Sequence, residues 1–305
     1  MNPSNMCFLS FLLFSFFFIC SSYSSNNITR TRCSLIQAHA LLLFKQNLLS
    51  YNHSYDERDY RDYYCKDWLG SNYYPIMMNW NTSIDCCHWG GVTCNRFTGD
   101  VVALDLDCGM LRGTIHPNST LFNLPHLQNL NLAINNLTNS QLPHEIGRFS
   151  NSLTHLNIST CEFIGQVPTG ITFLSKLVSL DLSWNDFKLE PHVFYNLLRN
   201  STSLEEFSLN GVNISSILPT SLNISSSMKF LDLSTTGLLG KFPDNIFNLP
   251  YLEELNLHAN INLNGRFPRV YTNTSIPLKL LDLSMTKLSG EMPESICNIP
   301  KISEV

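Results

Sequence analysis

A short apolar pattern recurs between residues 104 and 305 and constrains the fold more than any other feature of the chain. Each copy places an apolar residue two positions before a second aliphatic residue, and a turn follows. The steps between copies are 24 to 27 residues and average about 25, the period of a solenoid in which each repeat contacts only its neighbours. The first apolar positions are Leu104, Leu130, Leu156, Leu180, Phe207, Leu231, Leu255 and Leu281, and Val305 begins a ninth copy.

Within each copy, the alternation of residues separates a core side from an exposed side. Leu180 and Leu182 are two positions apart, so both point inward from a strand while their neighbours point outward. The pattern L-x-x-L-x-L-x-x-N-x-L-x-G-x-I-P predicts an α/β repeat solenoid, a leucine-rich repeat horseshoe with a parallel β-sheet on its concave face. Its asparagine is present as Asn135, Asn185 and Asn260, whose amides are expected to bond backbone groups of adjoining turns.

The first 24 residues have the composition of a secretory signal peptide. An apolar block of 14 residues runs from Cys7 to Cys20, and small and polar residues follow it. A membrane span needs about 20 apolar residues, and no later segment approaches that length. We therefore expect the chain to enter the secretory pathway, and to be secreted if it ends at Val305.

Residues 25–100 differ in composition from the repeats of residues 101–305, which we interpret as about eight repeats with a ninth truncated. Tyr, Trp, Cys and charged residues replace the leucine pattern there, as expected of a cap that covers the apolar end of a solenoid. The segment Ser34 to Asn47 predicts a helix with Ser34 as its N-cap. Residues 49–78 form a loop dense in tyrosine and charge, and its pattern assigns no regular structure to it. The helical residues expected to face the first strand are Ala38, Leu41, Leu42 and Phe44.

Composition and motifs argue against several functional classes. The 19 basic and 24 acidic residues give a net charge of −5 without any basic run, so nucleic acid is not an expected partner. No nucleophile elbow, zinc-protease helix or dinucleotide fingerprint occurs, so we expect no enzyme and no cofactor. Cys86, Cys87, His88 and Cys94 lack the spacing of common zinc sites, and no metal is expected.

Sequons for N-linked glycosylation are dense, as expected of a secreted chain. The sequence leaves open which of them are used. They begin at Asn27, Asn52, Asn81, Asn118, Asn136, Asn157, Asn200, Asn213, Asn223 and Asn273.

The cysteine-rich segment at residues 80–94, WNTSIDCCHWGGVTC, resembles the N-terminal cap of plant extracellular leucine-rich repeat proteins. The Gly-x-apolar-Pro turns resemble the plant form of the repeat, and with the phrase NSTLF at residues 118–122 the chain is most similar to the N-terminal portion of Cf-type receptor-like proteins. These turns begin at Gly165, Gly240, Gly265 and Gly290.

The resemblance implies disulfides in the cap. It pairs Cys33 with Cys86 and Cys87 with Cys94, whereas spacing alone leaves many connectivities open. Cys65 and Cys108 are candidates for a third bond, and Cys161 and Cys297 in the repeats are expected to be buried free thiols.

The resemblance also implies a function. It suggests the ligand-recognising ectodomain of a plant immune receptor-like protein, which binds a pathogen-derived peptide or protein and signals through a co-receptor or adaptor kinase at the plasma membrane. A full-length form would then stand on the extracellular face of that membrane. Two alternatives remain open: a secreted inhibitor of cell-wall-degrading enzymes similar to polygalacturonase inhibitors, and a receptor for a developmental peptide.

The exposed residues of successive repeats are the candidates for ligand binding, because they can vary without disturbing the core. Trp184 is the aromatic residue expected to anchor an interface, and packing against its neighbours is the competing interpretation. A glycan on Asn157 would obstruct the third repeat and favour binding further along. The candidates are Gln128, Asn129, Asn131, His155, Asp181, Trp184, Glu205, Glu206, Lys229, Phe230, Asp232, Glu253, Glu254, His258, Lys279 and Asp282.

Overall fold

The computed structural model describes residues 32–48, 60–70, 74–219, 221–266, 277–290 and 301–303. The expected signal peptide at residues 1–24 lies outside the described residues. So do the sequons at Asn27, Asn52 and Asn273, and Cys297.

A ten-stranded sheet extends along the described chain, and two smaller sheets flank it. The large sheet contains, in spatial order, β1 (Val92–Cys94), β2 (Val101–Asp105), β3 (Asn129–Asn131), β4 (His155–Asn157), β6 (Ser179–Asp181), β8 (Glu206–Ser208), β9 (Phe230–Asp232), β11 (Glu254–Asn256), β13 (Leu280–Asp282) and β15 (Lys301–Ser303). The small sheets contain β5 (Ile164–Gln166) with β7 (Asp186–Lys188), and β10 (Leu239–Lys241) with β12 (Asn262–Arg266) and β14 (Lys287–Ser289).

The repeated apolar positions are in register across the large sheet. Leu104 pairs with Leu130, and each following core residue pairs with the next as far as Leu281. All eight are at most 2% exposed, as expected when each repeat buries its strand residue against both neighbours. The leucine-rich repeat solenoid predicted from the sequence is therefore confirmed.

The consensus asparagines hydrogen-bond the backbone between strand and convex side. Asn260 is fully buried, and its Nδ2 donates to the carbonyls of Leu233 at 2.8 Å and Leu257 at 2.9 Å. Its Oδ1 accepts from the N–H of Leu238 at 2.9 Å. The side chain thus satisfies backbone groups of its own repeat and of the preceding one, and the other two consensus asparagines do the same.

In repeats that lack the consensus asparagine, the residue at that position makes some of the same hydrogen bonds to backbone carbonyls. The Oγ1 of Thr236 donates to Leu233 O at 2.7 Å, and the Sγ of Cys161 donates to Leu132 O at 2.9 Å. Burial raises the pKa of Cys161 to about 12, so this free thiol is protonated.

Short helical segments form the convex side. Among the described residues, four repeats have a short 3₁₀ segment there, at Thr120–Asn123, His144–Phe149, Thr169–Phe173 and Asp244–Asn248. The repeat with the longest spacing, 27 residues between Leu180 and Phe207, instead contains the α-helix Pro191–Asn200, which we call α3. The added residues are therefore accommodated as extra helical turns.

The N-terminal cap begins with a helix close to the predicted one. Helix α1 spans Leu35–Gln46, and Ser34 occupies the N-cap position without a side-chain capping bond. Ala38 and Leu42 are half-buried and pack against the core as predicted, and Gln37 and Ala40, which the prediction did not include, are buried. Gln37 bridges the N–H of Val101 and the carboxylate of Asp100, which explains a buried polar residue in this helix. Leu41 and Phe44 are buried as predicted.

The described parts of the loop expected at residues 49–78 contain regular structure. Helix α2 spans Tyr60–Leu69, and a 3₁₀ turn spans Ile76–Asn79. Helix α2 has no apolar face to reveal it in the sequence, since its buried residues are Arg61, Asp62 and Cys65.

Three disulfides hold the cap to itself and to the first repeat. They join Cys33 to Cys86, Cys87 to Cys94 and Cys65 to Cys108, the pairs named from the sequence. The third bond fixes α2 to the turn that follows β2. Each such bond contributes roughly 2–4 kcal/mol to a region with a small core.

The last described strand has a different register from the one predicted. Repeat spacing places Val305 opposite Leu281, whereas the structure pairs Ile302 with Leu281. Among the described residues β15 pairs with β13, and this one pairing determines the register seen here.

Replacing Asn260 with alanine tests the bonding of the consensus asparagine. The change leaves the buried N–H of Leu238 and the buried carbonyl of Leu257 without partners, while the carbonyl of Leu233 keeps its bond from Thr236, so we expect a loss of roughly 3 kcal/mol in the free energy of unfolding. The midpoint of urea unfolding, followed by circular dichroism, measures the loss. Asn248→Ala, at an exposed convex position, is the matched control. Equal midpoints for the two variants would contradict the assigned role.

Candidate ligand-binding surface

The candidate residues fall into rows that cross the strands of the large sheet. Equivalent positions of neighbouring parallel strands lie about 4.8 Å apart, so each row is a continuous strip of side chains. The pre-strand row contains Gln128, Glu205, Lys229, Glu253 and Lys279. The first-strand row contains Asn129, His155, Glu206, Phe230 and Glu254, and the third-strand row contains Asn131, Asp181, Asp232 and Asp282. Trp184 and His258 lie in the turns after the strands.

Two ion pairs cross between neighbouring repeats in the pre-strand row. Lys229 Nζ lies 2.6 Å from a carboxylate oxygen of Glu205, and Lys279 pairs with Glu253 in the same way. The hydrogen bond to Glu205 and its charge raise the pKa of the exposed Lys229. Because opposite charges pair along it, this row presents little net charge to a ligand.

The first-strand row is open to solvent and chemically mixed. Glu206 is exposed and accepts a hydrogen bond from the Oγ of Ser179 at 2.9 Å, and Phe230 beside it is half-buried. Glu254 follows on the next strand. Carboxylates on both sides of an aromatic ring can accept hydrogen bonds from peptide or cationic groups while the ring contacts an apolar side chain.

The third-strand row has a structural role that the sequence interpretation missed. Asp181 Oδ1 accepts from the N–H of Ser183 at 2.9 Å and from its Oγ at 2.6 Å, which closes the turn after the strand. Burial raises the pKa of Asp181, and the bonds from Ser183 partly offset that effect. Asp232, at 8% exposure, is the candidate least available to a ligand. The same turn occurs at Asn131, Asn157, Asp232, Asn256 and Asp282.

Trp184 projects from a turn with a repeated left-handed backbone. Its φ is 55°, and its N–H donates to the carbonyl of Asn210 in the next repeat at 2.8 Å. For a non-glycine residue this conformation costs roughly 1 kcal/mol, and the inter-repeat hydrogen bond compensates for it. The ring is 64% exposed, which favours the interface interpretation over packing on neighbours. The same position is occupied by Cys108, Ile134, Thr160, Gly211, Thr235, Ala259 and Met285, all with positive φ.

Helix α2 adds an exposed aromatic surface that sequence reasoning also missed. The side chains of Tyr60, Tyr64 and Trp68 are 55–64% exposed and recur every four residues along one face. The opposite face contains the ion pairs from Arg61 to Glu162 and from Asp62 to Arg112. Amphipathic helices are recognised by a buried apolar face, and α2 instead buries charged residues and exposes aromatic rings. The tyrosine-rich composition was therefore the one feature of the sequence that could have indicated this surface.

The cysteines of the cap lie close together without forming a metal site. The sulfur atoms of Cys33, Cys86, Cys87 and Cys94 are within 4.8 Å of one another. They form two disulfides, and a disulfide sulfur is not the thiolate that metals bind.

Asp107 has a carboxyl group with a shifted pKa and lies next to the disulfide that attaches α2 to the first repeat. It precedes Cys108, and its Oδ1 is buried without a hydrogen-bond partner among the described residues. Burial, reinforced by the charge of Asp105, raises the pKa of Asp107 to about 6. Relative to the unfolded chain, the folded protein therefore favours the protonated form of Asp107, and the group is ionised only above about pH 6.

Comparisons with known proteins agree with the fold. A family model described as "Leucine rich repeat N-terminal domain" matches residues 36–56 and 64–95, and one described as "Leucine Rich Repeat" matches residues 277–299. Receptor-like protein 6 of Arabidopsis thaliana is 36% identical over 279 residues, which is 87% of this chain and 27% of the relative. Receptor-like protein Cf-9 of Solanum pimpinellifolium is 37% identical over 275 residues, covering 88% of this chain and 30% of the relative. The chain thus spans between a quarter and a third of the length of these relatives.

Solved structures show the same architecture. The plant peptide hormone receptor RGFR1, solved in complex with RGF2, has 27% identity and a TM-score of 0.52, covering 62% of this chain and 29% of that one. The complex of PEPR1 with AtPEP1 has 22% identity and a TM-score of 0.59, covering 86% of this chain and 36% of that one. Among the described residues, no helix is long and apolar enough to cross a membrane.

Replacing Asp107 with asparagine tests the buried carboxyl group. A raised pKa in the folded state stabilises the protein below about pH 3.8, and this stability is lost as pH rises through about 6. We therefore expect the variant to be more stable than the wild type at pH 7 and the difference to vanish near pH 4. Urea midpoints at pH 4, 5, 6 and 7 measure it, and a difference independent of pH would refute the assignment.

Proposed function

Because the chain belongs to the plant leucine-rich repeat receptor-like proteins, we propose that it is the ligand-recognising part of an immune receptor at the plant cell surface. The ligand is a pathogen-derived peptide or protein, and it binds the concave rows. The signal leaves through a partner kinase at the plasma membrane. This places the described residues outside the cell.

The observation that carries the proposal is the alternation of buried and concave-facing side chains within each strand. Leu180 is 1% exposed and belongs to the core, whereas Ser179 beside it faces the concave side. The same division between the first and second strand residues holds in the large sheet from β3 to β13, so the first-strand row can change in sequence without loss of the fold. A rigid scaffold with independently variable side chains is suited to recognition.

The chemistry of the rows favours a polypeptide ligand. Glu206 and Glu254 can accept hydrogen bonds from main-chain amides or basic side chains, while Phe230 and Trp184 provide apolar contact. The similarity to a receptor solved with a peptide hormone supports a ligand of this class.

A partner kinase is proposed for the output because the resemblance to Cf-type receptor-like proteins implies one. The cap disulfides favour an oxidising compartment, which supports an extracellular position.

Peptides selected from a random-peptide display library on the immobilised, secreted protein test the binding surface. We expect Trp184→Ala to weaken the selected peptides by roughly 30-fold, because a large exposed aromatic ring commonly contributes about 2 kcal/mol at an interface. Alanine fits the left-handed turn, since Ala259 occupies the equivalent position with a φ of 58°. Affinities come from surface plasmon resonance.

Phe173→Ala is the matched control, because Phe173 is 53% exposed on the convex side. Its affinity for the selected peptides should equal that of the wild type. Selected peptides that lose affinity with Phe173→Ala and not with Trp184→Ala would contradict binding on the concave side. Inhibition of a fungal polygalacturonase by the purified protein would instead support the inhibitor alternative.

A further inference from the structure

Asn157 lies on the concave surface in the third repeat and begins a sequon. It is the third residue of β4, followed by Ile158 and Ser159. Its neighbours in register are Asn131 on β3 and Asp181 on β6. Side chains at this position face the concave side, and Asn157 is partly exposed there.

The local hydrogen bonds leave one side of the Asn157 amide available. Its Oδ1 accepts from the N–H of Ser159 at 3.0 Å and from the Oγ of Ser159 at 2.8 Å. Its Nδ2, the atom to which a glycan is attached, makes no hydrogen bond among the described residues. In contrast, Nδ2 of Asn131 donates to Asp105 at 2.9 Å, and Nδ2 of Asn200 donates to the carbonyl of Thr172 at 2.9 Å. The turn after β4 can therefore form whether or not Nδ2 is substituted.

The location of Asn157 differs from that of the other described sequons. Among these sequons, Asn157 alone lies on a strand of the large sheet. Asn81 is in the cap, Asn118 precedes a convex 3₁₀ turn, and Asn200 ends α3. Asn136 and Asn213 make isolated bridges beside the sheet, and Asn223 lies in a connecting segment.

We propose that Asn157 carries an N-linked glycan that covers the concave face of the second to fourth repeats and leaves the fifth to eighth repeats open. This inference concerns a modification and does not require that a ligand bind there. A glycan of several sugars is wider than the spacing of about 4.8 Å between strands, so it extends over β3 and β6 on either side. Glu206, Phe230 and Glu254, on β8, β9 and β11, lie beyond it.

The modification is a group transfer from a lipid-pyrophosphate-linked oligosaccharide in the secretory pathway. A bond forms between Asn157 Nδ2 and the anomeric carbon of the first sugar, and the bond from that carbon to the pyrophosphate oxygen breaks. The pyrophosphate leaves with the electron pair, and the amide nitrogen loses one proton. Transfer acts on the extended chain, so the folded geometry determines what the sugar covers.

Asn157→Asp removes the acceptor nitrogen and keeps the turn. Aspartate occupies the same position at Asp181, Asp232 and Asp282 and makes the same bond to the residue two positions on. The wild type and the variant are expressed as secreted proteins in plant cells. Intact glycopeptide mass spectrometry should find hexose and N-acetylhexosamine on the peptide that contains Asn157 in the wild type.

The labelling rates of histidine side chains with diethylpyrocarbonate measure which part of the concave face the glycan covers. His155 is exposed two residues before Asn157 on the same face of β4, so we expect its labelling rate to rise by roughly threefold in Asn157→Asp. His258, in the seventh repeat, should label equally in both proteins. Ser159→Ala, which removes the sequon but keeps Asn157, should reproduce the effect.

Two results would overturn the inference. An unmodified Asn157 peptide in the secreted wild-type protein would exclude the glycan. A glycosylated peptide with the same His155 labelling rate in wild type and Asn157→Asp would show that the glycan does not cover this face. Asn223→Asp controls for the general effect of losing a glycan, and it should leave His155 labelling unchanged.

Discussion

The in-register stacking of one buried apolar residue per repeat is the interaction on which the structure depends. From Leu104 to Leu281, each such residue lies opposite its counterpart on the next strand, and this alignment places all other positions in rows. A shift of one residue would reverse the inward and outward side chains of a strand. The buried asparagines and the left-handed turns add hydrogen bonds between the same neighbouring repeats, so core and surface are fixed together.

Rows of side chains on a rigid sheet explain how one architecture can serve recognition. The pre-strand row is neutralised by its own ion pairs, and the third-strand row closes turns, so the first-strand row and the turn residues have the greatest freedom to contact another molecule. A glycan on Asn157 would narrow that surface further. The available surface then lies in the fifth to eighth repeats, with Trp184 at its edge in the turn after β6.

Much of the fold could be predicted from the sequence because the leucine period directly reports which residues stack. The position of the candidate residues in rows followed from the same period. The roles of Asp181 and Asp282 in closing turns did not, because an acidic residue on an exposed strand position is equally compatible with ligand contact. Helix α2 was missed since its buried face consists of Arg61, Asp62 and Cys65, and pattern analysis looks for apolar residues there.

Amide hydrogen–deuterium exchange, resolved to single strands by mass spectrometry, tests the central claim most directly. If the stacked strands form one sheet, the amides of β3, β4, β6, β8, β9 and β11 exchange slowly and to a similar extent, because each is bonded to a neighbouring strand. Exposed residues of the connecting turns exchange within seconds. Rapid exchange of one or more of these strands, with protection confined to the cap, would contradict a continuous solenoid.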